Sequence, residues 1–435
     1  MTKTQRILAE LRQYESRNVT FMAQDGSWPI VWKRARGVHV WDAEGRKYLD
    51  LTAAFGVAAA GHANKKVTEA GRKQMGRLLH AMGDVHPPAL KGKLCRELSW
   101  VTFERWSGGR VAGKTVLGNS GFEAVEIALK TALLATGKPG VIAFEGGYHG
   151  LGYGALNATS RGHFRDPFKS QLAEFGYFVP FPADIPQMAK TAKAILRILD
   201  KRRIGAILVE PIQARGGVRT PPFQFLAMLR RLCDQRDLLL ICDEIYTGFG
   251  RTGKWFACER SRVVPDLICL GKALTGGFPL SACVGKAKVM DAAWPVSTGE
   301  AIHTSTFLGH PVGCAMALAQ IRQIREVDLP ARAARLGKIL MKSLAGLASP
   351  VASLRMAARG EGLLAGVELR WSDGSPATDL VLRVVTRMHR RGYILLPEGA
   401  ESNVISFSPP LVIKAAQLRS AVRALAEEIE GALAG

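Results

Sequence analysis

The residues best placed for chemistry are a lysine and an acid at the ends of two apolar runs. Lys272 stands in PDLICLGKALTGGFPLSA, just past an apolar strand pattern and before a Gly-Gly turn. A lysine in a dry site loses its proton readily and becomes a nucleophile and a base, able to form a Schiff base with an aldehyde. The competing reading is a lysine whose stem lies on apolar surface while its ammonium reaches water. Asp243 ends the apolar run in LLLICDEIYTGFGRTGKW. A carboxylate at the end of a buried strand needs a cation or hydrogen-bond donors. It suits a protonated heteroaromatic nitrogen, or else a structural ion pair with Arg251. The tightly spaced Gly248, Gly250 and Gly253 favour a shaped loop over a helix in the segment after the strand.

Two further segments extend this set. GNSGFEA places Gly118, Asn119, Ser120 and Gly121 between a strand and the start of a helix. Free N–H groups at a helix N-terminus attract an anion, and the Ser120 hydroxyl adds a donor. The same residues fit a capping box, with Ser120 as N-cap and Glu123 at N3. GGYHG sets Tyr148 and His149 just after a strand. A flat ring there stacks on a heteroaromatic ligand, or simply packs the turn.

These groups need a scaffold to bring them together. From about residue 115 short apolar runs alternate with helical patterns: TVLGNS, GFEAVEIALKTALLAT, GVIAFEGGYHG, IGAILVEP, FQFLAMLRRLCDQRD, LLLICDE, PDLICLGK and LSACVG. Continuously apolar strands separated by helices predict an α/β fold with a mainly parallel sheet covered on both faces. Ligands bind such sheets outside the carboxyl ends of the strands, where Glu210, Asp243, Glu244 and Lys272 fall. After about residue 311 the rhythm changes to helices at 311–327 and 330–347, the strand GLLAGVELR, a helix near 378–390, the strand NVISFSPP and a final helix from Lys414. This predicts a smaller α+β domain. The N-terminal segment, with strands joined by a turn at Glu44-Gly45, is expected to pack beside it. The expected division is 1–60 for the N-terminal part of the small domain, 61–320 for the large domain and 321–435 for the rest of the small one.

Composition narrows the function classes. The 435 residues are 47% apolar and 22% charged, which excludes disorder, collagen and a small disulfide scaffold. No run approaches the roughly 18–20 apolar residues of a membrane span, and the N-terminus lacks the apolar stretch of a secretory signal. Seven cysteines without CxxC or Cys/His zinc spacing predict no metal site and a reducing compartment, the cytoplasm. The net charge is +22, but the basic residues are spread along the chain. The short clusters at 201–203 and 389–391 read as helix ends, and no nucleic-acid module is recognisable. Small anionic ligands are expected, rather than nucleic acid or a membrane surface.

In order along the chain, CDEIYTGFGRTG, then Lys272 29 residues beyond Asp243, then HTSTFLGHPVGCA resemble the class III, fold-type I pyridoxal-phosphate aminotransferases. The resemblance spans most of the chain. It implies that Ser120, Gly121 and the N–H of Phe122 hold the phosphate of pyridoxal 5'-phosphate, that Tyr148 stacks on its ring, and that Tyr246 lies near its 3-oxygen. Asp243 would keep the ring nitrogen protonated and the ring an electron sink. Lys272 would form the Schiff base and carry the proton. Thr306 would reach the phosphate bound by a neighbouring subunit, which implies a homodimer with interfacial active sites. Phe55, Trp28 and Tyr153 are candidates for the pocket lining.

Two positions depart from the family pattern. Glutamate-using members carry an arginine two residues before xPPL, where it forks onto a carboxylate; here Ser406 occupies the position. Glu210, in VEPIQ, matches the glutamate that would neutralise that arginine, and is left to pair with Arg215 or to contact an amine. The second departure is Tyr246 itself, which narrows the pocket. The implied reaction is ping-pong transfer of an amino group from an amine, ω-amino acid or amino acid to a keto acid, pyruvate rather than 2-oxoglutarate. Racemases, epimerases and aminomutases on the same fold remain the alternative.

Overall fold

The computed structural model describes residues 1–23 and 28–434. Its centre is a seven-stranded sheet in the order Gly113–Gly118, Ser281–Lys286, Leu267–Leu270, Leu239–Asp243, Ile204–Val209, Gly140–Phe144, Gly176–Val179. Only Ser281–Lys286 runs against the others. The central strands carry no solvent-facing side chain, because alternate residues enter two different cores. Val141, Ala143, Ala206, Leu208, Ile241 and Cys269 pack with Ala124, Val125 and Ala128 of the helix Gly121–Thr136. Ile142, Phe144, Ile207, Val209, Leu240 and Cys242 pack on the opposite face, with Phe225, Leu226 and Leu229 of the helix Phe225–Arg236. Each Val, Leu, Ile or Phe among them contributes roughly 1.5–3 kcal/mol by leaving water, so the sheet is a rigid base for whatever its edge carries.

Two smaller sheets complete the fold. One runs Leu354–Glu361, Leu364–Trp371, Val404–Phe407, Leu396–Glu398, all antiparallel. The other joins Trp32–Arg36, His39–Asp42 and Lys47–Asp50 to the short strand Tyr393–Ile394, which pairs in parallel with the third. Chain segments more than three hundred residues apart therefore share one sheet. The helices Leu329–Ala345, Thr378–Arg390 and Ala415–Ala434 belong to this C-terminal region.

Several elements escape the sequence patterns, among them the helices Lys65–Met75 and Ala89–Ser99. Gly176–Val179 is a four-residue strand at the sheet edge, too short to show a period. The helix Ile185–Leu199 buries only Thr191 and Ile195 fully, and Leu354–Glu361 is an edge strand with Leu354 alone fully buried. The helix Lys3–Tyr14 buries only Leu8. A second turn near the N-terminus, at Gly37 with φ +61°, splits the predicted pair of strands into three. Among the described residues no helix is long and apolar enough to cross a membrane.

Candidate active site

The parallel strands end at one edge of the large sheet, and the residues beyond those ends enclose a cavity of about 420 Å³. Lys272 opens the turn Lys272–Leu274 after the strand Leu267–Leu270. Its backbone sits at φ +27°, a conformation that costs energy in any residue bearing a Cβ. The turn is held by the Thr275 hydroxyl, which accepts the N–H of Phe278 at 3.0 Å. The side chain keeps some accessible surface because it enters the cavity, and its Nζ lies 4.7 Å from the ring centroid of Tyr246. Burial lowers its pKa below the ordinary 10.5, against the opposing pull of Asp243 and Glu210.

Asp243 is buried at the last position of its strand. Its Oδ2 lies 2.7 Å from Nδ1 of His149, and its Oδ1 accepts the N–H of Ile245 at 3.1 Å. The expected alternative partner is elsewhere: Arg251 is wholly buried and donates through Nη1 to the carbonyls of Leu363 and Pro409. Burial by itself depresses the His149 pKa, but the hydrogen bond and charge of Asp243 outweigh it and the pKa rises. A backbone hydrogen bond from His149 to Thr159 Oγ1 at 2.9 Å fixes the loop. At Gly150, with φ +111°, a Cβ would fall 2.3 Å from Cβ of Phe122, so this loop rests directly on the helix start. The neighbouring Glu244 has a different task. It accepts the Thr247 hydroxyl and the N–H groups of Ala257 and Cys258 at 2.9 and 2.7 Å, and so braces the loop after the strand.

The capping box read from GNSGFEA does not form. Ser120 is the N-cap of the helix Gly121–Thr136, but its side chain makes no capping bond. Glu123 instead accepts the N–H of Asn119, one residue upstream. The Ser120 hydroxyl is buried without a hydrogen-bond partner among the described residues. A buried hydroxyl, the free N–H groups of a helix start and a glycine at Gly121 make a cradle for an anion.

Glu210, Tyr148 and Tyr246 line the same cavity. Glu210 accepts the N–H of Tyr148 at 3.0 Å, and burial lifts its carboxyl to about 7. It does not pair with Arg215. That guanidinium lies 4.9 Å over the ring of Tyr148 and faces Glu398, with Nε 3.9 Å from Oε2. Tyr246 places its hydroxyl 3.0 Å from Ser408 Oγ, and burial raises its pKa to about 12. Phe122 also borders the cavity. Ser406 is turned to the carbonyl of Leu396 across the sheet, at 3.3 Å.

Other candidates lie outside this cavity. Phe55 and Trp28 line a second, mainly apolar space of about 230 Å³. Tyr153 is exposed and bonds through its hydroxyl to Gln171. Thr306 is exposed on the segment before the helix Pro311–Glu326. Two residues bear on the site without having been given a role from the sequence. His149 carried a usable signal, since it comes directly after Tyr148 at the same strand end and a buried Asp243 needs a cation. Glu398 carried none, because LLPEG reads only as a strand end.

Comparison with known proteins agrees with this geometry. Residues 21–429 match the family model for class III aminotransferases. The acetylornithine aminotransferase of Methanopyrus kandleri is 37% identical over 404 residues, covering 92% of this chain and 95% of that protein. The 5-aminovalerate aminotransferase of Pseudomonas aeruginosa is 37% identical over 412 residues, covering 92% and 93%. A Bacillus anthracis aminotransferase of known crystal structure superposes with a TM-score of 0.88 at 26% identity, covering 99% of this chain and 100% of its own. The chain belongs to the class III aminotransferases and is an aminotransferase of fold-type I architecture.

Proposed function

We propose that this aminotransferase works with pyridoxal 5'-phosphate in two half-reactions, taking the amino group of an amine, ω-amino acid or amino acid and passing it to a keto acid, pyruvate in preference to 2-oxoglutarate. The observation that carries this reading is one cavity in which Lys272 faces the buried Asp243–His149 couple. Terminal amino donors gain support from the relative named for 5-aminovalerate. The preference for pyruvate rests on Ser406, whose short neutral side chain cannot fork onto a second carboxylate.

The residues present suit the cofactor. The orphaned Ser120 hydroxyl, with the N–H groups of Gly121 and Phe122, would hold its phosphate. Tyr148 would lie against its ring. The Asp243 carboxylate would accept from its nitrogen while the His149 imidazole keeps that carboxylate oriented. Tyr246, whose hydroxyl bonds Ser408, would border its oxygen substituent. When bound, the cofactor supplies an aldehyde that condenses with amines and a ring that draws electron density from the adjacent carbon. Lys272 attacks and accepts protons only as the neutral amine, the form that burial favours. Its Nζ is the group that removes the proton from the amine-bearing carbon of the donor and returns it, a task worth roughly 10²–10⁴-fold.

A homodimer in the cytoplasm completes the proposal. Exposed Leu79, Met82, Val85 and Phe307 gather beside Thr306: the ring of His80 lies 5.4 Å from that of Phe307, and Thr304 bonds Asp84 at 2.5 Å. Such a patch suits burial against a second copy.

Ser120→Ala is expected to weaken cofactor affinity by about 10- to 100-fold, the value of one hydrogen bond to a charged group, measured by titrating apoprotein with cofactor. An unchanged dissociation constant would remove Ser120 from the phosphate site. The rate at which apoprotein captures the cofactor should rise with pH through a midpoint below 10.5. The neutral amine is the nucleophile and exists above the pKa, so a lowered pKa moves that boundary down. A midpoint at or above 10.5 would contradict a dry Lys272.

The test of the function is to add single donors to the holoenzyme and track its visible absorption. A true donor bleaches the band without any acceptor, releasing one carbonyl product per site, and pyruvate restores it with formation of alanine. Loss of donor chirality, or migration of its amino group, without an acceptor would instead establish a racemase or mutase. High specificity for glutamate, with alanine and simple amines ignored, would overturn the pyruvate preference.

A further inference from the structure

We infer that Arg215 receives the carboxylate of the substrate, taking up on another element the role that Ser406 cannot fill; this deepens the function proposed above and rests on it. Arg215 lines the Lys272 cavity, so a ligand reacting at Lys272 is within its reach. Its guanidinium is held but not used. It lies over Tyr148 at 4.9 Å and beside Phe164 at 5.9 Å, two rings that fix its plane. Its Nε is buried with no hydrogen-bond partner among the described residues. The nearest anion, Glu398, stands 3.9 Å away, too far for a hydrogen bond. By contrast, Arg219 and Arg332 on neighbouring parts of the fold each donate to backbone carbonyls.

The surrounding charges favour an incoming anion. Among the described residues Glu398 is the one acid within 4 Å of the Arg215 guanidinium, and Arg161 lies on the same side, with Nη2 3.4 Å from the carbonyl of Gly399. Arg215, Arg161 and Lys272 all act on Glu398, so this one buried carboxylate is shared and does not neutralise Arg215 alone. The local backbone fixes this arrangement. The N–H of Gly399 donates to the carbonyl of Arg215 at 3.2 Å, tying the loop after Val209 to the end of the strand Leu396–Glu398. A planar fork with free donors, a positive charge with only a shared counter-ion and a wall of aromatic rings is a receptor for a single carboxylate. One fork accommodates the single carboxylate of an ω-amino acid or of pyruvate.

The test compares 5-aminovalerate with pentylamine, which has the same length and no carboxylate, as donors to the holoenzyme. Binding of pentanoate, which cannot react, is measured alongside by calorimetry. In Arg215→Ala, kcat/KM for 5-aminovalerate is expected to fall about 10- to 100-fold, mainly through KM, while pentylamine loses no more than about 3-fold. Pentanoate binding should weaken in parallel. Arg215→Lys keeps the charge but loses the fork, and should fall between. The visible absorption of bound cofactor reports that each variant is folded and loaded. An equal loss with both donors would assign Arg215 a structural role and overturn the inference, as would an unchanged 5-aminovalerate KM. A wild-type holoenzyme that transfers amino groups from no donor would overturn the function instead, and pentanoate binding would still decide the part played by Arg215.

Discussion

Replacing Lys272 with alanine is expected to abolish turnover, lowering kcat by at least about 10³-fold, because a single amine serves both as the cofactor's attachment and as the proton carrier. Among the described residues, the groups beside Nζ are poorly suited to substitute. Tyr246 is the next titratable group beside Nζ, and burial holds its hydroxyl at about 12, so it keeps its proton across the working range. Glu210 can titrate near 7, but its carboxylate is already engaged by the N–H of Tyr148. The fold should survive, since Lys272 projects into a cavity rather than a packed core. The decisive comparison is rescue: methylamine added to Lys272→Ala should restore part of the proton transfer, and addition to the wild type should not raise its rate. Substantial turnover in the variant without added amine would show that another base does the work.

Asp243→Asn should leave the cofactor bound but lower kcat on the order of 10²–10³-fold, comparable to removing one preorganised charge-stabilising group from an active site. The asparagine keeps the shape and can still accept from Ile245, yet it has no charge to set against a protonated ring nitrogen. A second consequence separates this from a loss of packing. His149 owes its raised pKa to Asp243, whose bond and charge overcome burial. With that carboxylate gone burial is opposed only by the charge of Glu210, so the imidazole should titrate at lower pH than in the wild type, which histidine NMR can detect. An unchanged His149 pKa, or a variant with normal kcat, would contradict the role given to Asp243.

Much of this site was legible because the fold is built from strands buried on both faces. Such strands write themselves as unbroken apolar runs, and the first polar residue after each run marks the ligand edge; Asp243, Glu210 and Lys272 are found in this way. The helix Gly121–Thr136 was readable for the same reason, with its apolar spacing and its stop at Gly137, φ +64°. Contacts between distant loops were not readable. That Asp243 meets His149 rather than Arg251, and Arg215 faces Glu398 rather than Glu210, depends on how loops cross the sheet edge, which no spacing in the sequence reports. The structure selects His149 and Glu398. Likewise Ser120 and Glu123 had the spacing of a capping box, but Glu123 turned to Asn119 and left the hydroxyl free. Phe55 and Trp28 illustrate the same limit: as large apolar residues they suit any cavity, and they line a different one.

The most direct measurement is to load the protein with pyridoxal 5'-phosphate, reduce it with borohydride, digest it and locate the modified peptide by mass. The label should sit on Lys272 alone, in a stoichiometry of one per chain. A label on any other lysine, or none after reduction of a protein that still transfers amino groups, would contradict the site described here.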